Sequence, residues 1–242
     1  MLIWDCRSAR PPWTGCPDPS DTRQPRSAAM TRTRIKICGL TREQDVDFAV
    51  QAGADAIGFV LYEKSPRYVS PLRAAELARR LPPFVTPVGL FVNADDALLA
   101  EALAALPNLL LQFHGDETPP QCERHARPYI RAARMSPGFD LLDFAQQFSS
   151  AQAMLVDAHV EGYGGGGKVF DWSLLPRNVP SPVVLSGGLH AGNVIEGILR
   201  VRPWAVDVSS GVEEAKGLKN PLLMRQFCEA VREADARLED AG

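Results

Sequence analysis

An α/β chain of the (β/α)8 TIM-barrel class is predicted from three observations. Short apolar runs alternate with helical stretches eight times from residue 33 onward. The alternation fills about 210 residues, a length at which such a barrel forms one domain. The glycine clusters fall late, at 164–167, 187–188 and 211, whereas an open doubly wound sheet places its glycine-rich phosphate turn after the first strand.

Each element has a local reason. The first strand, 33–37, alternates Ile35 and Ile37 with Arg34 and Lys36. Cys38 and Gly39 follow, and Thr41 is expected to cap a helix over 42–52, whose first turn carries Glu43 and Asp45. A strand at 55–60 precedes a helix at 71–81, opened by Ser70-Pro71. Strand 85–91 leads to helix 95–105, and strand 108–113 to helix 118–126 behind Thr118-Pro119. Then come strand 128–133 with helix 139–149, strand 153–157 with helix 171–175, and strand 182–186 with helix 190–200. Strand 204–208 and a helix over 219–238, opened by Asn220-Pro221, complete the pattern.

Residues 1–29 lack any apolar period and are rich in proline, so they are expected to form a disordered extension. Met30 stands just before the first patterned segment, and 30–242 is expected to be one catalytic domain. With 45% hydrophobic and 23% charged residues, the 242-residue chain can bury a large core. A net charge of −3 gives no electrostatic case for nucleic acid or an anionic membrane. No apolar run approaches the ~18 residues that span a bilayer. Five cysteines, spread without a CxxC pair, fit a reducing cytoplasm better than a disulfide framework.

In such a barrel the C-terminal strand ends share one pocket. That rule gathers Cys38, Ser65-Pro66-Arg67, Asn93, His114, Asp157, Gly187-Gly188 and Asp207 with Ser210-Gly211. A helix N-terminus favours a thiolate, so Cys38 can serve as a base; from this stretch alone it reads first as a small buried cysteine. Gly165, Gly166, Gly167, Gly187, Gly188, Ser210 and Gly211 can bring backbone N–H groups around a phosphate. The glycine run before Lys168 also suits a lid, or only tight turns. Asp157 ends an apolar strand and can act as an acid, or cap a loop, or pair with Lys36 or Lys168. Arg67 can fork a carboxylate, or stand in solvent. His114 reads first as a hydrogen-bonded strand-end histidine. Cys122-x-x-His125 lacks a second ligand pair, so no metal is expected.

Eight ordered stretches resemble one family. They are Lys36–Thr41, Gly53–Phe59, Ser65–Arg67, Val88–Asn93, Gln112–Gly115, Gly167–Trp172, Leu185–Leu189 and Asp207–Glu213. Together they resemble the phosphoribosylanthranilate isomerases of tryptophan biosynthesis. The resemblance implies a ribulose-phosphate-binding barrel that performs an Amadori rearrangement without cofactor or metal, on a small phosphoribosyl substrate, as a monomer or homodimer. It implies Cys38 as general base, Asp157 as general acid, Arg67 at the anthranilate end, and His114 and Asp207 among the substrate-binding residues. The family's glycine loop carries Thr or Ser where this chain has Gly166. The analogous isomerase of histidine biosynthesis would have favoured paired aspartates at the first and fifth strand ends. A catalytically silent sugar-phosphate sensor would have had no need of both Cys38 and Asp157.

Overall fold

The computed structural model describes residues 32–158 and 171–240. The extension 1–29 and the glycine run 164–167 lie outside the described residues. Eight parallel strands, β1 (Arg34–Cys38), β2 (Ala56–Val60), β3 (Thr86–Phe91), β4 (Leu110–Phe113), β5 (Tyr129–Met135), β6 (Ala153–Ala158), β7 (Val183–Leu185) and β8 (Ala205–Val208), close into a barrel. The ring shuts where β8 pairs with β1, with Lys36 opposite Asp207. Helices α1 (Glu43–Ala52), α2 (Pro71–Ala78), α3 (Asp96–Ala105), α4 (Pro119–Glu123), α5 (Leu141–Gln147), α6 (Val194–Val201) and α7 (Pro221–Asp240) connect or follow the strands.

Strand parity divides the core. Ile35, Ile37, Phe59, Leu111, Phe113, Met154, Val156, Val206 and Val208 belong to the large cluster shared with the helices. The opposite parity supplies a second apolar cluster of Ile130, Ala132, Ala153, Leu155, Val184 and Ala205. Continuing that inward parity two residues further along the strands gives Cys38 after Lys36, His114 after Gln112, Asp157 after Leu155, Ser186 after Val184 and Asp207 after Ala205. The barrel is therefore filled with apolar side chains below and polar ones at its C-terminal end.

Helix boundaries follow local chemistry. Ser70 accepts a hydrogen bond from the Arg73 N–H at 3.2 Å, and Asn220 accepts from Leu222 and Leu223 at 2.9 and 3.2 Å. At α4 the Gln121 side chain reaches back to the Thr118 N–H at 2.8 Å. Three expectations change. Helix α4 stops at Glu123 instead of 126, because Ala126 turns left-handed and Arg127 precedes Pro128. The stretch 171–175 is a single 3-10 turn, Trp172–Leu174, ended by an extended Leu175 before Pro176. Thr41 does not cap α1; its hydroxyl donates to the Gly217 carbonyl at 2.8 Å. A hairpin that the pattern does not reveal, β9 (Glu213–Ala215) with β10 (Leu218–Lys219), follows β8.

Candidate active site

Cys38 ends β1 with its side chain among buried charges. Lys36, on the same face of β1, places its Nζ 2.8 Å from Asp207 Oδ1 on β8, both side chains being almost fully buried. Their strands are in register, so the ion pair costs no backbone distortion. Burial lowers the Lys36 pKa, but the Asp207 charge, aided by Cys38, more than offsets it and the net shift is upward. Burial pushes the Cys38 thiol above the ordinary thiol value of 9.0; Lys36 and Lys219 oppose the rise, and Asp207 adds to it. The expected source of thiolate stabilisation is thus corrected. Helix α1 begins only at Glu43, and the groups that favour a charged Cys38 are the two lysines.

Arg67 lies beside this cysteine. A Cβ at Gly39, whose φ is +80°, would stand 2.5 Å from Arg67 Cδ and 3.2 Å from Ser209 Oγ. Glycine is needed here for the arginine to cross the strand end. Arg67 is not a solvated loop residue: it is buried, and its Nε and Nη2 each donate to the Glu213 carboxylate at 2.7 Å. Glu213 raises the guanidinium pKa still further, burial opposing it.

On the other side, His114 Nε2 is 3.3 Å from Asp157 Oδ2, and Gln112 Nε2 is 3.4 Å from His114 Nδ1. All three side chains follow the inward parity of β4 and β6. Gln112 and Asp157 thus face the two ring nitrogens of His114 from opposite ends. Asp157 does not pair with Lys36, whose partner is Asp207.

Arg131 supports the His114 loop from outside the barrel. It donates to the Phe113, Gly115 and Glu117 carbonyls at 2.9, 3.0 and 3.3 Å. Glu117 in turn accepts from the Asn93 and Gly115 N–H groups at 2.7 and 2.9 Å. Neither residue stands out in the sequence, because the charges become partners only once β4 and β5 pair.

The strand-end glycines form two adjoining loops. Gly187 and Gly188 have φ of +83° and +63°, and the Asn193 side chain donates to the Gly188 carbonyl at 3.0 Å. Gly211 lies in the 3-10 turn Ser210–Val212, so close to the first loop that a Cβ would fall 1.9 Å from the Leu189 carbonyl oxygen. Gly165, Gly166 and Gly167 lie outside the described residues, so only Gly187, Gly188, Ser210 and Gly211 are placed. Cys122 is fully buried, and His125 faces Asp96 at 3.6 Å.

The family model described as N-(5'phosphoribosyl)anthranilate (PRA) isomerase matches residues 35–230. An N-(5'-phosphoribosyl)anthranilate isomerase from Leptothrix cholodnii is 73% identical over 210 residues, covering 87% of this chain and 96% of that protein. A phosphoribosyl anthranilate isomerase solved with reduced 1-(o-carboxyphenylamino)-1-deoxyribulose 5-phosphate superposes with a TM-score of 0.71 at 36% identity, over 83% of this chain and 99% of the other. Monomers derived from the dimeric enzyme of Thermotoga maritima superpose with a TM-score of 0.71 at 35% identity, over 83% and 98%. With a matching barrel and a family match across nearly the whole described chain, the chain belongs to the N-(5'-phosphoribosyl)anthranilate isomerase family.

Proposed function

We propose that the chain isomerises N-(5'-phosphoribosyl)anthranilate to 1-(2-carboxyphenylamino)-1-deoxyribulose 5-phosphate, the Amadori step of tryptophan biosynthesis, with Cys38 as base and Asp157 as acid. The observation that carries the reading is the convergence of Cys38 and Arg67 across Gly39 at the barrel mouth. It sets a proton acceptor beside a cation suited to the anthranilate carboxylate.

Asp157 delivers a proton to the ribose ring oxygen, and the nitrogen lone pair opens the ring to an iminium. The iminium acidifies the C2 hydrogen, which the Cys38 thiolate removes. The resulting enolamine tautomerises to the ketone. Each proton transfer contributes about 10²–10⁴-fold. His114 and Asp207 line the substrate site, Asp207 also holding Lys36 against the cysteine. The phosphate is assigned to the N–H groups of the Gly187-Gly188 and Ser210-Gly211 loops, completed by Gly165, Gly166 and Gly167. No residue of this scheme needs a cofactor.

Loss of anthranilate-type fluorescence when purified protein meets N-(5'-phosphoribosyl)anthranilate tests the assignment; unchanged fluorescence refutes it. The protein is assigned to the cytoplasm, where Cys38, Cys122 and Cys228, all free, stay reduced. It acts as a monomer or homodimer, which sedimentation separates. Residues 1–29 are assigned no catalytic part: protein beginning at Met30 is expected to keep its turnover and thermal midpoint.

A further inference from the structure

One buried side chain near the site, named so far only for its pull on Cys38, also reaches Arg67 through Glu213. Lys219, on β10, is fully buried. Its Nζ lies 2.8 Å from Glu213 Oε1, 2.9 Å from the Ser209 carbonyl and 3.4 Å from Ser209 Oγ. The β9–β10 hairpin pairs Glu213 with Lys219 across a shift in register between Leu218 and Lys219. The backbone of Lys219 is tied to α1, its carbonyl accepting from Arg42 at 3.2 Å and its N–H donating to Asp45 at 3.3 Å.

Two routes lead from this ammonium to the site. Through Ser209, whose hydroxyl donates to the Cys38 carbonyl at 3.0 Å, it braces the end of β1. Through Glu213 it reaches Arg67, whose Nε and Nη2 are held by the same carboxylate. The Glu213 fork takes Nε and Nη2 of Arg67 and leaves Nη1 outside that pair.

Charge counting shows why a second cation matters. Arg67 paired with Glu213 alone would be neutral, and a neutral buried pair attracts an anionic ligand weakly. With Lys219 on the same carboxylate, the trio carries one net positive charge in a low-dielectric site. Burial raises the Glu213 pKa, but Arg67 and Lys219 outweigh it and hold the carboxylate below its ordinary range. Burial pulls the Lys219 pKa down against the pull of Glu213, and the 2.8 Å contact to a stabilised carboxylate is that of a charged pair.

We infer that Lys219 is a positioning residue that sets substrate selectivity: by neutralising Glu213 it leaves Arg67 the net charge that selects a phosphoribosyl arylamine bearing an ortho carboxylate. This rests on the reading of Arg67 as the carboxylate grip.

The test compares kcat/KM for N-(5'-phosphoribosyl)anthranilate and for its carboxylate-free analogue, N-(5'-phosphoribosyl)aniline. The unaltered protein is expected to prefer the carboxylated substrate by about ten- to hundredfold, the worth of a hydrogen bond to a charged group. Lys219→Met leaves the trio neutral and is expected to erase most of that preference. A general loosening of the site would instead lower both rates together. Adding Glu213→Gln to Lys219→Met restores one net positive charge and is expected to restore the preference. Glu213→Gln alone gives two, and should keep or enlarge it. Equal turnover of the two substrates by the unaltered protein would overturn the carboxylate reading of Arg67, and this proposal with it. A preference that survives Lys219→Met, or that the double variant fails to recover, overturns the role of Lys219 alone. If Lys219→Met does not fold, the other two variants decide: loss of the preference in both is the overturning result.

Discussion

The thiol of Cys38 occupies the space that a side chain on Gly58 would take. The two residues face each other in the β1–β2 register, and a Cβ at Gly58 would lie 2.6 Å from Cys38 Sγ and 3.0 Å from its Cα. The strand pairing cannot move without disturbing β3, so the methyl group would push the sulfur aside. Gly58→Ala is expected to lower kcat by about 10²-fold, the cost of misplacing a reacting group by about 1 Å. KM is expected to change far less, because the three atoms nearest such a Cβ all belong to Cys38, and none to Arg67 or the phosphate loops. Steady-state kinetics on the folded variant checks this; an unchanged kcat would show that the sulfur has no defined position to lose.

The phosphate assignment makes a prediction of its own. Gly188 sits at φ +63° in one loop, and Gly211 touches the Leu189 carbonyl from the other. Gly188→Asp sets a carboxylate against the bound dianion, and Gly211→Ala forces the two loops apart. Both are expected to raise KM by at least about tenfold, and to weaken competitive inhibition by inorganic phosphate in parallel. Raised KM with undiminished phosphate inhibition would move the phosphate elsewhere.

The pH profile follows from burial. The competent enzyme carries one proton for its acid and base together, on Asp157 and not on Cys38. That form is lost when rising pH removes the last proton. Burial, the largest influence on Cys38, holds its ionisation above 9.0, so the alkaline limb of kcat/KM is expected above the ordinary thiol range. The Lys36 charge favours the thiolate, so its removal acts in the opposite sense. Lys36→Met is expected to move the limb to still higher pH and to lower the plateau, because less thiolate forms. It also strands a buried Asp207, at a cost of about 3–5 kcal/mol in stability. A limb that moves to lower pH in this variant would contradict the electrostatic scheme.

The strand ends were legible in sequence because each apolar run stops within about two residues of a polar group that the barrel must expose at its mouth. Cys38, His114 and Asp157 were reachable by that rule. Lys36 was not: beside Ile35 and Ile37 it reads as the wet side of a strand, yet in a closed barrel that parity points inward, and Asp207 becomes its partner only through the β1–β8 closure. Glu213 and Lys219 escaped for a related reason. Their hairpin strands are three and two residues long, too short for a period, and their partner Arg67 lies 146 positions away from Glu213. Gly58 was visible only as one glycine of a motif, since what it makes room for belongs to another strand.

The acid and base are expected to be separable by mutation. Cys38 ends β1 and Asp157 lies near the end of β6, so a substrate across the mouth meets them from different sides. Each serves a different proton transfer, so neither replaces the other. Cys38→Ala and Asp157→Asn are each expected to lower kcat by at least about 10²-fold with substrate binding largely kept. Cys38→Ser should fail as well, because a hydroxyl is far less acidic than a thiol and yields far less of the anion at any pH. His114, 3.3 Å from Asp157, is expected to have a smaller effect: His114→Asn removes a neighbour of the acid, not the acid. Single-turnover kinetics with titrated binding separates the steps. Turnover of Cys38→Ala at the unaltered rate would remove the cysteine from the mechanism. His114 and Asp207 would then be the next groups to examine, the first beside Asp157 and the second sharing Lys36 with the cysteine.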